Sequence, residues 1–258
     1  MVLEVWLVEL EQIAAALEGE ERQRPRLDED DLRHIGDVNH AQLRRQRRLA
    51  TIALRVAIGA FTGNDSLARA PIVRLPGGKP VLPGLPVSFS ISHAAGRALI
   101  ALTSGVPVGV DIEPQRSLRM SPARQAALIE AARVLPLVPR ASTLQTLPSD
   151  HEAPVQSDPV LSAWVRLEAL AKLDGMGMAR LLTHAGVLGR RNQSGGQSAE
   201  TVAGAATPDW PGSFVETGTA IVDLAVPPDP SCDAWYAALA VPAALLRVQS
   251  VKVRTLSL

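Results

Sequence analysis

Residues 87–113 read VSFSISHAAGRALIALTSGVPVGVDIE, and the class of fold turns on them. Val87–Ser92, Arg97–Thr103 and Val108–Glu113 are short runs rich in β-branched and aliphatic residues, separated by Ala94-Ala95-Gly96 and Ser104-Gly105-Val106-Pro107. Such runs bounded by Gly and Pro read as strands. Links this short favour antiparallel neighbours over crossover connections.

Toward the N-terminus, Val2–Val8 reads as a further strand and Leu10–Leu17 as a short helix, followed by a charged connection, Glu18–Arg26. From Asp37 to about Phe61 the pattern is helical. Leu43, Ile52, Leu54, Val56 and Ile58 form its apolar face, with Arg44, Arg45, Arg47, Arg48 and Arg55 opposite. Pro76-Gly77-Gly78-Lys79-Pro80 is a turn. Toward the C-terminus, Met120–Val134 and Val160–Met178 are expected helices. Pro136–Pro159 is an expected loop, Asn192–Gly212 a mobile Gly/Ser/Ala-rich segment, and Glu216–Val226, Trp235–Val241 and Leu246–Val253 expected strands. The strand–turn–strand pattern beginning at Arg97 has a faint echo beginning at Trp235. The expected fold is therefore α+β, with two similar halves that each pack helices on an antiparallel sheet, 1–107 and 108–258.

The 258 residues are 47% apolar and 20% charged, the profile of a globular chain long enough for a substantial core. Twenty-six acids balance 26 bases, so no global field gathers nucleic acid or anionic membrane. Eight aromatic residues offer few stacking platforms for bases. The single Cys232 excludes an internal disulfide and a multi-cysteine metal site. Met1–Glu11 has no basic n-region, and the longest apolar run, Trp235–Leu246, is broken by Pro242. Neither a signal peptide nor a membrane span is expected, and the expected location is the cytoplasm. Only three of the 26 bases are lysines (Lys79, Lys172 and Lys252), which hints that a compact ammonium is needed at each.

Asp111 and Glu113 are two apart on a strand, so their carboxylates share a face while Ile112 points away. Two carboxylates held together repel unless a cation neutralises them, and hard oxygen ligands suit Mg²⁺. A strand end meeting solvent would carry the same two acids without a metal. Trp164, Glu168 and Lys172 recur every four residues along one helix stripe. Glu ahead of Lys at this spacing is also the favoured orientation of a plain helix ion pair, worth about 0.3–0.5 kcal/mol. With Asp111 and Glu113, Glu168 would complete an all-oxygen cage.

Ser92 and His93 are adjacent on a strand and project to opposite faces, so they cannot form a nucleophile–base pair directly. Their donors suit phosphate. His34, His40, His151 and His184 lack metal-ligand spacing and are read as having no role. The arginine helix is either a solvated face or a phosphate clamp, with Arg47 and Arg55 near one face. No Gly-x-x-x-x-Gly-Lys-Ser/Thr loop is present, which argues against an ordinary ATP enzyme.

Taken in order, Gly78-Lys79-Pro80, Phe89-Ser90-Ile91-Ser92-His93, Val108-Gly109-Val110-Asp111-Ile112-Glu113 and the helix stretch Trp164 to Lys172, followed by Gly175-Met176-Gly177-Met178, resemble the motifs of two-domain, Sfp-like 4′-phosphopantetheinyl transferases. The resemblance spans Gly78 to Met178, with a looser match in the arginine helix. It implies two similar halves with coenzyme A and Mg²⁺, or alternatively Mn²⁺, in a cleft between them. Asp111, Glu113 and Glu168 would bind the metal. Lys79, Pro80, Ser92 and His93 would contact coenzyme A as substrate, and Arg47 and Arg55 would reach its adenosine phosphates. On physical grounds, Glu168 would take the proton from an incoming serine hydroxyl, directly or through a metal-bound water, and Lys172 would stabilise charge on the leaving phosphate or the attacked one.

The reaction so implied moves phosphopantetheine onto a serine of an apo acyl or peptidyl carrier protein and releases adenosine 3′,5′-bisphosphate. A monomer suffices for such a site, with neither nucleic acid nor membrane as partner. Leu167 stands where the family usually has Lys before the helix glutamate, so one phosphate or carrier contact is either missing or replaced by Arg166. The competing expectations are a catalytically silent coenzyme A- or carrier-binding protein on the same scaffold, and another Mg²⁺-dependent diphosphate-cleaving enzyme.

Overall fold

The computed structural model describes residues 2–138, 158–188, 218–230, 232–246 and 253–256. It is an α+β protein with two four-stranded mixed sheets packed face to face and helices on their outer faces.

In the first sheet, β1 (Leu3–Glu9) runs antiparallel to β5 (Arg97–Thr103), and β5 runs antiparallel to β4 (Ser88–Ala94). The β4–β5 turn places Ala95 at φ 44° and Gly96 at φ 85°. Two consecutive left-handed residues match the twist of a tight hairpin. β10 (Val253–Thr255) lies parallel to β1 and completes the order β10-β1-β5-β4. In the second sheet, β6 (Gly109–Pro114) is antiparallel to β9 (Trp235–Pro242), β9 is antiparallel to β8 (Thr219–Asp223), and β8 is parallel to β7 (Leu137–Val138). β2 (Val73–Arg74) and β3 (Pro80–Val81) form a separate ribbon.

The three strands of residues 87–113 therefore do not form one meander. β5 has both edges occupied by β1 and β4, so the chain beyond Thr103 has no edge to join there. It crosses to the second sheet and lays β6 against β9. The chain passes from the first sheet to the second between Thr103 and Gly109, and β10 returns to the first sheet.

Strand alternation sorts the core. Leu99 and Ala101 of β5 meet Val110 and Ile112 of β6 and Leu239 of β9 between the sheets. Ile100 and Leu102 face the opposite way, onto α1 (Ala14–Gln23) and α3 (Ala41–Thr62). Ala238 and Ala240 of β9 pack under α5 (Pro122–Arg133), α6 (Pro159–Asp174) and α7 (Met178–His184).

Several local expectations are corrected. The charged connection Glu18–Arg26 is largely the end of α1, and α2 (Glu29–Gly36) follows, started by a reciprocal capping box between Asp28 and Asp31. Within α3, Leu43 is exposed and Arg55 wholly buried, the reverse of their expected faces. The helix over Val160–Met178 ends at Asp174, because Gly175 adopts φ 77° and caps it, and α7 restarts beyond Gly177. α4 (Asp65–Ala68) is a single turn, Leu246 closes the short helix α8 (Ala243–Leu246), Val253 begins β10, and residues 247–252 of the expected strand Leu246–Val253 lie outside the described residues. Leu137 and Val138 of the expected loop Pro136–Pro159 are paired in β7. Residues 139–157 of that loop, and all of Asn192–Gly212, lie outside the described residues. Among the described residues, no helix is long and apolar enough to cross a membrane.

Candidate functional site

Gly109 decides how closely α6 can approach β6. A Cβ there would sit 1.9 Å from the carbonyl oxygen of Ala169 and 2.5 Å from the nitrogen of Leu173. No side chain fits that gap, so helix backbone rests directly on strand backbone. The consequence is chemical: Asp111 and Glu113, on the same face of β6 as Gly109, meet Glu168 and Lys172 of α6. One carboxylate oxygen from each of Asp111, Glu113 and Glu168 lies within 4.8 Å of the others.

Asp111 is the buried centre of this cluster, 1% exposed. Its Oδ1 accepts from Ser92 Oγ at 2.7 Å and from Lys172 Nζ at 2.7 Å. Its Oδ2 is buried with no hydrogen-bond partner among the described residues. Lys172 also reaches Glu168 Oε1 at 3.4 Å. Burial depresses the Lys172 ammonium's pKa, but the Asp111 and Glu168 carboxylates outweigh that and raise it overall. Glu168 is pushed above the usual carboxylate range, first by burial and then by the charge of Asp111, with Lys172 opposing. Glu113 is held by Arg116, whose Nε and Nη2 meet its two oxygens at 2.9 and 3.0 Å.

Beside the cluster, a cavity of about 360 Å³ opens between α3 and β4 on one side and α6 with the 77–80 loop on the other. Lys79, Pro80, His93, Arg47, Glu168 and Lys172 all line it. A Cβ on Gly77 would lie 1.6 Å from the carbonyl oxygen of Gly175, so this loop and the end of α6 touch backbone to backbone. Lys79 donates to the carbonyl of Leu173 at 2.5 Å and to that of Val108 at 3.4 Å. An ammonium has three donors, so one is left over for the cavity. Burial lowers its pKa to about 8, partly offset by Asp174. Arg47 donates to the His34 carbonyl at 3.1 Å.

Two expected substrate contacts are placed elsewhere. Ser92 faces β6 and serves Asp111, so its hydroxyl supports a carboxylate and does not line the cavity. Arg55 is 0% exposed and its guanidinium is taken by Asp31, Asp28 and the Ala68 and Ala70 carbonyls. It braces α2 against α3. Nor does Arg166 replace a lysine before Glu168: it forks onto Asp223 at 2.8 and 2.5 Å, and Leu167 is buried in the helix-side core. Conversely, His34 and Arg74 line the cavity next to Arg47. His34 showed no spacing signal, and Arg74 lies in the β2–β3 ribbon, which folds it back over the cavity.

His93 is held neutral. Burial first, then Arg47, Lys172 and His34, depress its pKa to about 4. Between pH 6.5 and 4 the unfolded chain binds a proton at this position that the folded protein does not, so His93 makes stability fall as pH drops through that window. Wild type is expected to lose up to about 3 kcal/mol more than His93→Gln from pH 6.5 to 4, measured by urea unfolding at each pH. Parallel curves would refute the buried neutral imidazole.

No protein-family model matches the chain, and none of the curated proteins matches it.

Proposed function

We propose that the protein is a 4′-phosphopantetheinyl transferase that moves phosphopantetheine from coenzyme A to a serine of an apo carrier protein. The observation that carries this reading is the convergence of Asp111, Glu113, Glu168 and Lys172 at the wall of a cavity that Lys79, Arg47 and His93 also line. The common strand order of the two sheets, β1-β5-β4 and β6-β9-β8, supports two related halves with the ligand cleft between them.

The carboxylate cluster fits a divalent cation. It offers hard oxygen donors, a buried carboxylate oxygen with no hydrogen-bond partner among the described residues, and one formal negative charge beyond what Lys172 and Arg116 neutralise. Asp111, Glu113 and Glu168 would hold Mg²⁺ or Mn²⁺. When bound, the cation neutralises diphosphate charge and so lowers the cost of cleaving the phosphoanhydride.

The chain's own residues do the rest. Lys79, Arg47 and Arg74 give the cavity a cationic wall for phosphates, with fixed donors that need no reorganisation as charge shifts onto the leaving adenosine 3′,5′-bisphosphate. Neutral His93 adds a donor without adding charge. Glu168, at the cavity wall beside Lys172, accepts the proton of the attacking serine hydroxyl. Lys172 holds Asp111 and Glu168 together and presents its third N–H donor to the attacked phosphate.

Mass spectrometry of the protein mixed with coenzyme A, Mg²⁺ and several apo carrier proteins tests this reading. The expected result is a carrier heavier by one phosphopantetheine, with the gain lost in EDTA. Coenzyme A bound with no carrier modified would refute transfer and favour a silent binder. Cleavage of coenzyme A without a carrier would point to a hydrolase.

A further inference from the structure

We infer that Arg116 sets the metal affinity of the carboxylate cluster, acting as a removable counter-charge that holds Glu113 in a fork and keeps cation binding by the free protein weak. This rests on the metal site proposed above and extends it to a positioning residue outside the motifs.

Three carboxylates within 4.8 Å need counter-charge to coexist, and the fold supplies two cations of different kinds. Lys172 is built in, bridging Asp111 and Glu168 from α6. Withdrawing it would leave Asp111, 1% exposed, without a cation. Arg116 lies beyond Pro114, where β6 ends, and reaches back over Glu113. Its side chain is 42% exposed against 17% for Glu113, so this cation stands on the water-facing side of the cluster.

The fork uses both Glu113 oxygens, at 2.9 and 3.0 Å. Each oxygen retains one lone pair, so a metal need not break the fork. It must, however, share a ligand already polarised by a guanidinium and tolerate a positive neighbour across that ligand. The guanidinium also feels the other two acids. Its own pKa is raised chiefly by the hydrogen bonds it donates to Glu113, with the charges of Asp111 and Glu168 adding to that of Glu113 against partial burial. Removing Arg116 strips the counter-charge from Glu113 and strengthens the negative field that a metal enters.

Titration of the protein with Mn²⁺ alone, without coenzyme A or carrier and with free Mn²⁺ read by electron paramagnetic resonance, tests the inference. Arg116→Ala and Arg116→Gln are expected to bind about tenfold more tightly than wild type, which is about 1.4 kcal/mol. Arg116→Lys, keeping charge but losing the fork, is expected in between. Unchanged affinity in both neutral variants would overturn the inference. Weaker binding would also overturn it, because Arg116 would then orient Glu113 for the metal instead of competing with it. Glu113→Gln separates this failure from that of the metal site. If Glu113→Gln weakens binding while the Arg116 variants match wild type, only the role of Arg116 falls; if no variant and no wild-type sample binds Mn²⁺ saturably, the metal site itself falls.

Discussion

Asp111→Asn is expected to cut phosphopantetheine transfer by about 10²–10³-fold while leaving a folded protein. The substitution keeps the size of the side chain, and the remaining carbonyl oxygen can still accept from Ser92 and Lys172, which meet Oδ1 at 2.7 Å each. What changes is the charge and the second oxygen. Oδ2, buried without a hydrogen-bond partner among the described residues, becomes an amide group that repels a cation. Asp111→Ala is the harsher test, because it strips a buried partner from Lys172 and confounds lost activity with lost stability. Circular dichroism melting beside the carrier mass assay separates the two. Full activity in a folded Asp111→Asn protein would remove the metal assignment and, with it, the main support for a transferase.

Arg55→Met is expected to cost about 3–5 kcal/mol of stability, the range for breaking a buried ion pair by removing one partner. The guanidinium is 0% exposed and sits 2.6 Å from Asp31 and 3.0 Å from Asp28. Asp31 is already pushed up by burial, with Arg55 the first influence holding it down, so losing Arg55 drives it toward its protonated form. The same guanidinium satisfies the carbonyls of Ala68 and Ala70, which methionine leaves bare. Urea unfolding gives the cost, and coenzyme A affinity measured on the remaining folded protein gives the contrast. A variant with wild-type stability and weakened coenzyme A binding would return Arg55 to the phosphate-binding role that the sequence suggested.

Arg55 shows why part of the site was hidden. Its spacing from Arg47 is a true helical spacing, but α2 lies over that part of α3 and turns one arginine from surface to interior. α2 itself was illegible, since of its eight residues only Leu32 and Ile35 are large and apolar, and Leu32 is exposed. Its start depends on side-chain capping more than on a hydrophobic stripe. In contrast, β4, β5 and β6 were legible because alternation is local. Their sheet membership was not, because which edge is free depends on β1 and β10. The Asp111–Glu113–Glu168–Lys172 group was readable from same-face spacing on one strand and one helix. Gly109 brings the strand and the helix together, and its neighbours across the gap are more than fifty residues away in sequence. Arg116 had no motif to mark it.

Val5 pairs with Val253 in the parallel ladder of β1 and β10, so the first sheet is built from segments nearly the whole chain apart. Closing a loop of that span carries a large entropic cost before any pairing rewards it, which makes this ladder a late event in folding. Until β10 arrives, β1 is an open edge whose backbone groups invite another strand. Glu4 and Glu9 interrupt its apolar sequence, and Glu4 later meets Arg254 at 3.4 Å. Charged side chains on an open edge disfavour pairing with another chain, and here one of those acids, Glu4, is the partner of the strand that covers the edge.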